Sequence, residues 1–191
     1  MLYNAAHLLG TLLVNAIPLI GVVWFGWNLF EVLFLYWFEN VAIGVAHAAR
    51  LAISTRTNAT EKGWQTTAFF IVHYGIFTSV HGIFVFIFFG VFAGGLLQID
   101  PGFSAPVAAI MGWQALYLAL DTARSSGFKG RTPEAMMFEP YPRVFALHTA
   151  VIAGGWLIGE IGSPVWALAI LVAVKSVFDL AVAWITSART P

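Results

Sequence analysis

The chain has 191 residues, of which 60% are apolar and 9% are charged, and its formal net charge at pH 7 is zero. Typical soluble domains are about 25% charged, and a soluble protein of this length could not bury so much apolar surface. A zero net charge excludes a strongly basic surface for nucleic acid. The chain has no cysteine, which excludes disulfides and thiolate metal ligands. Composition therefore predicts an integral membrane protein whose main partner is the lipid bilayer.

Hydrophobic segments occur along the whole chain, and a helix needs about 20 apolar residues to cross the hydrocarbon core of a bilayer. The segments lie at about 8–24, 29–51, 67–92, 107–122, 143–161 and 165–186. Glycine, proline and polar residues separate them, most clearly at residues 54–65, 94–106 and 123–142. The sequence predicts one all-α domain over residues 1–191, a polytopic bundle of about six transmembrane helices.

Charge placement predicts the orientation of this bundle. Eight of the nine basic residues fall in the second-to-third loop, the fourth-to-fifth loop or the C-terminal tail: Arg50, Arg56, Lys62, Arg124, Lys129, Arg131, Arg143 and Arg189. The turns on the other side carry only acidic residues, such as Asp100 and Glu160. Cytoplasmic loops collect Lys and Arg, so we expect both termini in the cytoplasm. The predicted location is the cell (cytoplasmic or inner) membrane, as a multi-pass protein.

Several polar side chains fall at membrane depth, where ionisable residues are rare and usually face the interior of a bundle. His73, His148 and Asp179 lie on three predicted helices, each about 9–10 Å from the cytoplasmic boundary at a rise of 1.5 Å per residue. Four others are nearer the midplane: Glu39, Asn40, His81 and Lys175. His73 and His81 are about 12 Å apart along one helix, so a shared site must draw on other helices.

The charges at depth do not balance. Glu39 and Asp179 supply two negative charges, and Lys175 supplies one positive charge. Lys175 can pair with Asp179 one turn along its own helix, or with Glu39 across helices, but not fully with both. The remaining carboxylate must be protonated, share a proton with a histidine or meet a cation.

Imidazole and carboxylate together suit a divalent ion such as zinc. We therefore predict a metal site with His73, His148 and Asp179 as ligands, and Glu39 or His81 as a further ligand or general base. Charge-balancing neighbours of this site are expected to be Lys175, Asn40 and Tyr36. No two ligands have a short motif spacing, so a membrane-embedded metalloenzyme and a non-catalytic metal protein both stay open.

Three other functions use the same residues. A carrier of protons, ions or a small solute could use the buried Glu, His, Asp and Lys as a relay. A haem protein could use His73 and His148 as axial ligands. A hydrophobic or small-molecule ligand stays open as a further partner of the protein. A structural or accessory subunit would use these polar groups only to fix helix register.

Five short motifs carry a resemblance that covers nearly the whole chain. They are LFLYWFEN at 33–40, HYG at 73–75 with HG at 81–82, YPR at 141–143 with His148, GSP at 162–164 and KSVFD at 175–179. Together they resemble an uncharacterised family of small bacterial and archaeal polytopic membrane proteins. The resemblance implies a fold and a membrane location, and it implies no activity. The motifs include the polar residues that depth and charge select.

Overall fold

The computed structural model describes residues 16–92, 94–123, 128–142, 144–145, 148–149, 152, 170 and 172–178. Over these residues the chain is helical, with turns between helices and no strand. The helices are α1 at residues 16–24, α2 at Leu29–Asn58, α3 at Gly63–Phe84, α4 at Ser104–Thr122 and α5 at Pro133–Met136. Helix α3 continues into a π-helix at Val85–Phe92, and a 3₁₀ turn follows at Gly95–Gln98. Residues 172–178 are also helical.

Two helices within the described residues are long and apolar enough to cross a membrane, by length and composition. They are α2 and the continuous helix Gly63–Phe92, each with 30 residues, which corresponds to about 45 Å of helix. Both agree with predicted spans, and α4 agrees with the predicted segment 107–122. The predicted spans 143–161 and 165–186 lie mostly outside the described residues. The all-α class is therefore observed, and the full number of spans is not.

Helix α2 is the central element, and its first turn is fixed by a capping box. The Asn28 side chain accepts a hydrogen bond from the Glu31 backbone N–H, and the Glu31 carboxylate accepts one from the Asn28 N–H. Such a cap typically contributes about 1 kcal/mol. The second Glu31 oxygen accepts the backbone N–H of Asp100 at 2.7 Å. This end of α2 therefore binds the loop that precedes α4.

The other end of α2 extends to Asn58, beyond the predicted boundary near residue 51. Its polar residues stay helical because their side chains bind a neighbouring loop. The Asn58 side chain donates to the carbonyl of Phe128 and accepts from the N–H of Gly130. The hydroxyl of Ser54 donates to the Arg131 carbonyl. The α2–α3 turn and the loop after α4 therefore lie at the same end of the molecule.

Helices α2 and α3 pack closely where Gly44 faces Tyr74. A Cβ atom placed on Gly44 would lie 2.3 Å from the Tyr74 ring. The Tyr74 hydroxyl donates to the Asn40 carbonyl on α2 at 3.0 Å. Gly75, the next residue on α3, has open space around its Cα hydrogens. The Tyr74 ring thus lies over the α2 backbone at the one position in that turn where a side chain is missing.

We expect Gly44→Ala to destabilise the protein by about 1–3 kcal/mol, because the new methyl group must displace the Tyr74 ring. Gly75→Ala is the matched control, and it should be neutral or stabilising by up to about 1 kcal/mol because alanine favours helix. Denaturant titration in detergent measures both. Equal effects of the two substitutions would contradict the close α2–α3 contact.

Candidate functional site

A buried ion pair joins α2 to the helical residues 172–178. The ammonium of Lys175 lies 2.5 Å from Oε2 of Glu39, and both side chains are at most 9% exposed. The same ammonium is 4.7 Å from the centre of the Tyr36 ring, within range of a cation–π interaction. Asn40 donates to the Tyr36 carbonyl at 2.8 Å. Of the three residues expected to balance charge, Lys175 contacts Glu39 directly, and Tyr36 contacts Lys175.

This contact joins Lys175 to Glu39, which is one of the two partners that the sequence left open for it. Glu39 and Lys175 are 136 residues apart in the chain, so only the packing of α2 against the C-terminal helix brings them together. The other partner, Asp179, lies outside the described residues. Because Glu39 is engaged by Lys175, its carboxylate interacts with a cation rather than with an imidazole.

Two histidines are in direct contact between α3 and the segment after α5. Nε2 of His81 lies 2.7 Å from Nδ1 of His148. Nδ1 of His81 lies 2.9 Å from the carbonyl oxygen of Phe77, one turn earlier on α3. The contact joins two residues that the sequence assigned to different depths, His81 nearer the midplane and His148 nearer the cytoplasmic boundary.

His148 also faces a cavity of about 350 Å³. The cavity is lined by His73, Tyr74, Phe77, Tyr141, Val144, Phe145 and His148. The His73 ring stacks against Phe69, with ring centres 5.3 Å apart, and against Tyr141 at 6.0 Å. Among the described residues, the buried Tyr141 hydroxyl has no hydrogen-bond partner. The cavity is thus mainly aromatic, and its lining includes two imidazoles and two phenols.

The predicted metal ligands are brought together only in part. His73 and His148 line one cavity, and Asp179 lies outside the described residues. Within the part of the chain that the structure describes, no group of three His, Asp or Glu side chains could hold a metal ion. A complete metal site therefore remains a prediction.

A second polar cluster occupies the end of the molecule that carries the basic loops. Asp121 at the end of α4 is 3.4 Å from Arg50 and 3.3 Å from Arg131, and Arg131 is also 3.3 Å from Glu139. Burial opposes the charge on Arg131, but Glu139 and Asp121 outweigh burial and raise the pKa of the guanidinium above its ordinary value. His47 accompanies this cluster, with Nε2 3.0 Å from the Met136 carbonyl.

Sequence reasoning assigned no role to this cluster. One signal was available, because His47 and Arg50 continue the helical face of Glu39 and Asn40 at spacings of three and four residues. The partners Asp121 and Arg131 could not be found in this way, since they come from a different helix and a loop. Their contacts fix that loop against α2 and α4.

These observations define the class of the protein. It is α-helical over the described residues, and ionisable groups are buried between its helices. Two of these helices are long and apolar enough to span a membrane. The chain belongs to the family of unknown function DUF6498, whose family model matches residues 2–190. The resemblance to an uncharacterised family is thereby confirmed. No curated protein and no solved structure matches the chain.

We expect Lys175→Met to destabilise the protein by about 3–5 kcal/mol, because it leaves the Glu39 carboxylate buried without its cation. The double variant Lys175→Met/Glu39→Gln should recover much of this loss. Lys129→Met, at an exposed position, is the matched control and should change stability by less than about 0.5 kcal/mol. Denaturation in detergent measures all four proteins. A double variant no more stable than Lys175→Met would contradict the pairing.

Proposed function

We propose that this protein is a multi-pass membrane protein that binds a divalent, zinc-like metal ion through His73, His148 and Asp179. The observation that carries the proposal is that His73 and His148 come from different helical segments and line the same cavity. Asp179 is assigned as the third ligand from the sequence alone. The proposed bundle has about six transmembrane helices and both termini in the cytoplasm.

Contacts at both ends of α4 support a third crossing beside α2 and α3. At its start, the loop residue Asp100 binds Glu31 in the first turn of α2. At its end, Asp121 contacts Arg50 near the last turns of α2. With 19 residues, α4 is about 28 Å long, close to the 30 Å of a hydrocarbon core. Helix α4 therefore extends along most of the length of α2.

The surface of α3 supports contact with lipid. Three large apolar side chains along it, Ile76, Val80 and Ile83, are each about 60% exposed. Monomeric soluble proteins rarely expose continuous apolar patches of this kind, and membrane proteins present them to acyl chains. On the same helix, His73 lines the cavity and His81 contacts His148.

Two imidazoles and one carboxylate form a common ligand set for zinc, and three protein ligands leave one coordination position for water or substrate. A zinc ion held by His73, His148 and Asp179 would supply Lewis-acid chemistry toward a bound water or substrate. Glu39 was one of two predicted general bases. Because Lys175 engages it, the proposal assigns Glu39 to charge balance instead of proton transfer.

A proton or ion carrier is the second candidate, and one specific contact favours it. The 2.7 Å hydrogen bond between His81 and His148 is a path along which a proton can pass between α3 and the segment after α5. Histidine titrates near neutral pH, which suits such a relay. No specific contact among the described residues favours haem binding or a purely structural role over the other functions.

The topology is testable with reporter fusions. Fusions at Glu61 and Gly130 should report the cytoplasm, because basic residues accumulate in the loops around both positions. A fusion at Asp100 should report the opposite face of the membrane. The measurement is the activity of a reporter that functions on one side only. A cytoplasmic signal from Asp100 would contradict both the orientation and the number of spans.

The metal is testable by elemental analysis of protein purified without chelator. We expect close to one divalent ion per chain, lost in His73→Ala and in His148→Ala and kept in the control His7→Ala. Removing the ion should lower thermal stability, because a metal that binds the folded state stabilises it. An optical spectrum of the same sample identifies haem. Protein that lacks metal, and that zinc does not stabilise, would leave the carrier and structural functions.

A further inference from the structure

The hydrogen bonds of His81 fix where its own proton lies. Its Nδ1 is 2.9 Å from the Phe77 carbonyl oxygen, and a carbonyl oxygen can only accept a hydrogen bond. Nδ1 of His81 therefore carries a proton. In its neutral form the imidazole has only this N–H, and Nε2 of His81 is then an acceptor.

The state of His148 follows from that of His81. Nδ1 of His148 lies 2.7 Å from Nε2 of His81, and two acceptor nitrogens cannot form a hydrogen bond. His148 must therefore donate from Nδ1. Its single N–H is then used, and Nε2 of His148 keeps a free lone pair. His148 is the member of the pair that lines the cavity.

Packing holds the His81 ring in this orientation. His81 is 8% exposed, and its ring centre lies 4.2 Å from that of Phe77. Both ring nitrogens are engaged, one by a backbone carbonyl and one by His148. No nitrogen of His81 is left to bind a ligand or to accept a proton from a substrate.

We propose that His81 is a positioning residue: it holds His148 as the tautomer whose Nε2 is the metal-binding atom in the cavity. The metal part of this inference rests on the proposed function. Histidines that bind metals almost always donate their other N–H to a nearby acceptor, which orients the ring and raises its basicity. The chain of Phe77 carbonyl, His81 and His148 supplies that acceptor, and it replaces the role of general base predicted for His81.

The first experiment needs no metal. Histidine labelled with ¹⁵N in the full chain, treated with chelator in detergent at pH 8, reports the tautomer of each ring by NMR. We expect a protonated Nδ1 and an unprotonated Nε2 for both His81 and His148, with His81→Gln and His148→Ala used for assignment. A protonated Nε2 on His148, or a charged His81, would overturn the positioning role.

The second experiment measures zinc affinity by titration. His81→Leu removes the acceptor and should weaken zinc binding by about 10–100-fold. His81→Gln keeps an acceptor oxygen and should recover most of the affinity, while thermal midpoints without zinc show whether each variant folds. Zinc binding that is equal in wild type, His81→Leu and His81→Gln would overturn the positioning role while supporting the metal site.

The two proposals can fail separately. If neither wild type nor the variants bind zinc, but both histidines show the expected tautomers, the metal function fails and the positioning of His148 by His81 stands. If zinc binds and His148→Ala retains full affinity, His148 is not a ligand, and the inference fails with it. If His81→Leu fails to fold, the tautomer measurement decides the positioning role, because His81→Gln is expected to bind zinc almost as tightly as wild type.

Discussion

The ion pair between Glu39 and Lys175 is the interaction on which the packing of residues 172–178 against α2 depends. Neither side chain could be buried in apolar surroundings alone, because isolated buried charges cost several kcal/mol each. As a pair, 2.5 Å apart and with the ammonium beside the Tyr36 ring, the two side chains can be buried. The pair joins a residue of α2 to one 136 positions later. A C-terminal helix packed in any other register would leave Glu39 without this cation.

Helix α2 organises the rest of the described structure around this pair. Its N-terminal turn binds the loop before α4 through Glu31, and its C-terminal turn binds the loop after α4 through Asn58 and Ser54. The same helix receives Tyr74 of α3 at Gly44. In a bilayer, polar groups must be satisfied within the protein because lipid offers no hydrogen bonds. The polar contacts at both ends of α2 and the charged contact between them satisfy these particular groups within the protein.

The three described histidines of the site have different environments, which their spacing in the sequence does not reveal. His73 stacks against two aromatic rings and lines the cavity, and His81 is buried with both nitrogens engaged. His148 contacts His81 and lines the same cavity as His73. An imidazole with one nitrogen fixed by a neighbour presents the other with a defined protonation state. The cavity therefore presents a defined lone pair, whether its ligand is a metal ion or a proton.

Composition and hydrophobic length were sufficient for the all-α class and for the positions of α2, α3 and α4, because both depend only on local sequence. They missed the end of α2 at Asn58, because polar contacts with a distant loop extend that helix. Depth and charge also selected Glu39, His81 and Lys175 as unusual. The partners of these residues could not be predicted, since Lys175 had two carboxylates within reach and α2 has neighbours on several sides. The register between distant helices decides such contacts: it paired Lys175 with Glu39 and His81 with His148, and it buried Asp121 beside Arg50. The sequence determined which residues need partners, and only the tertiary packing decided which partners they have, because a buried charge or imidazole is satisfied by whatever group the fold places next to it.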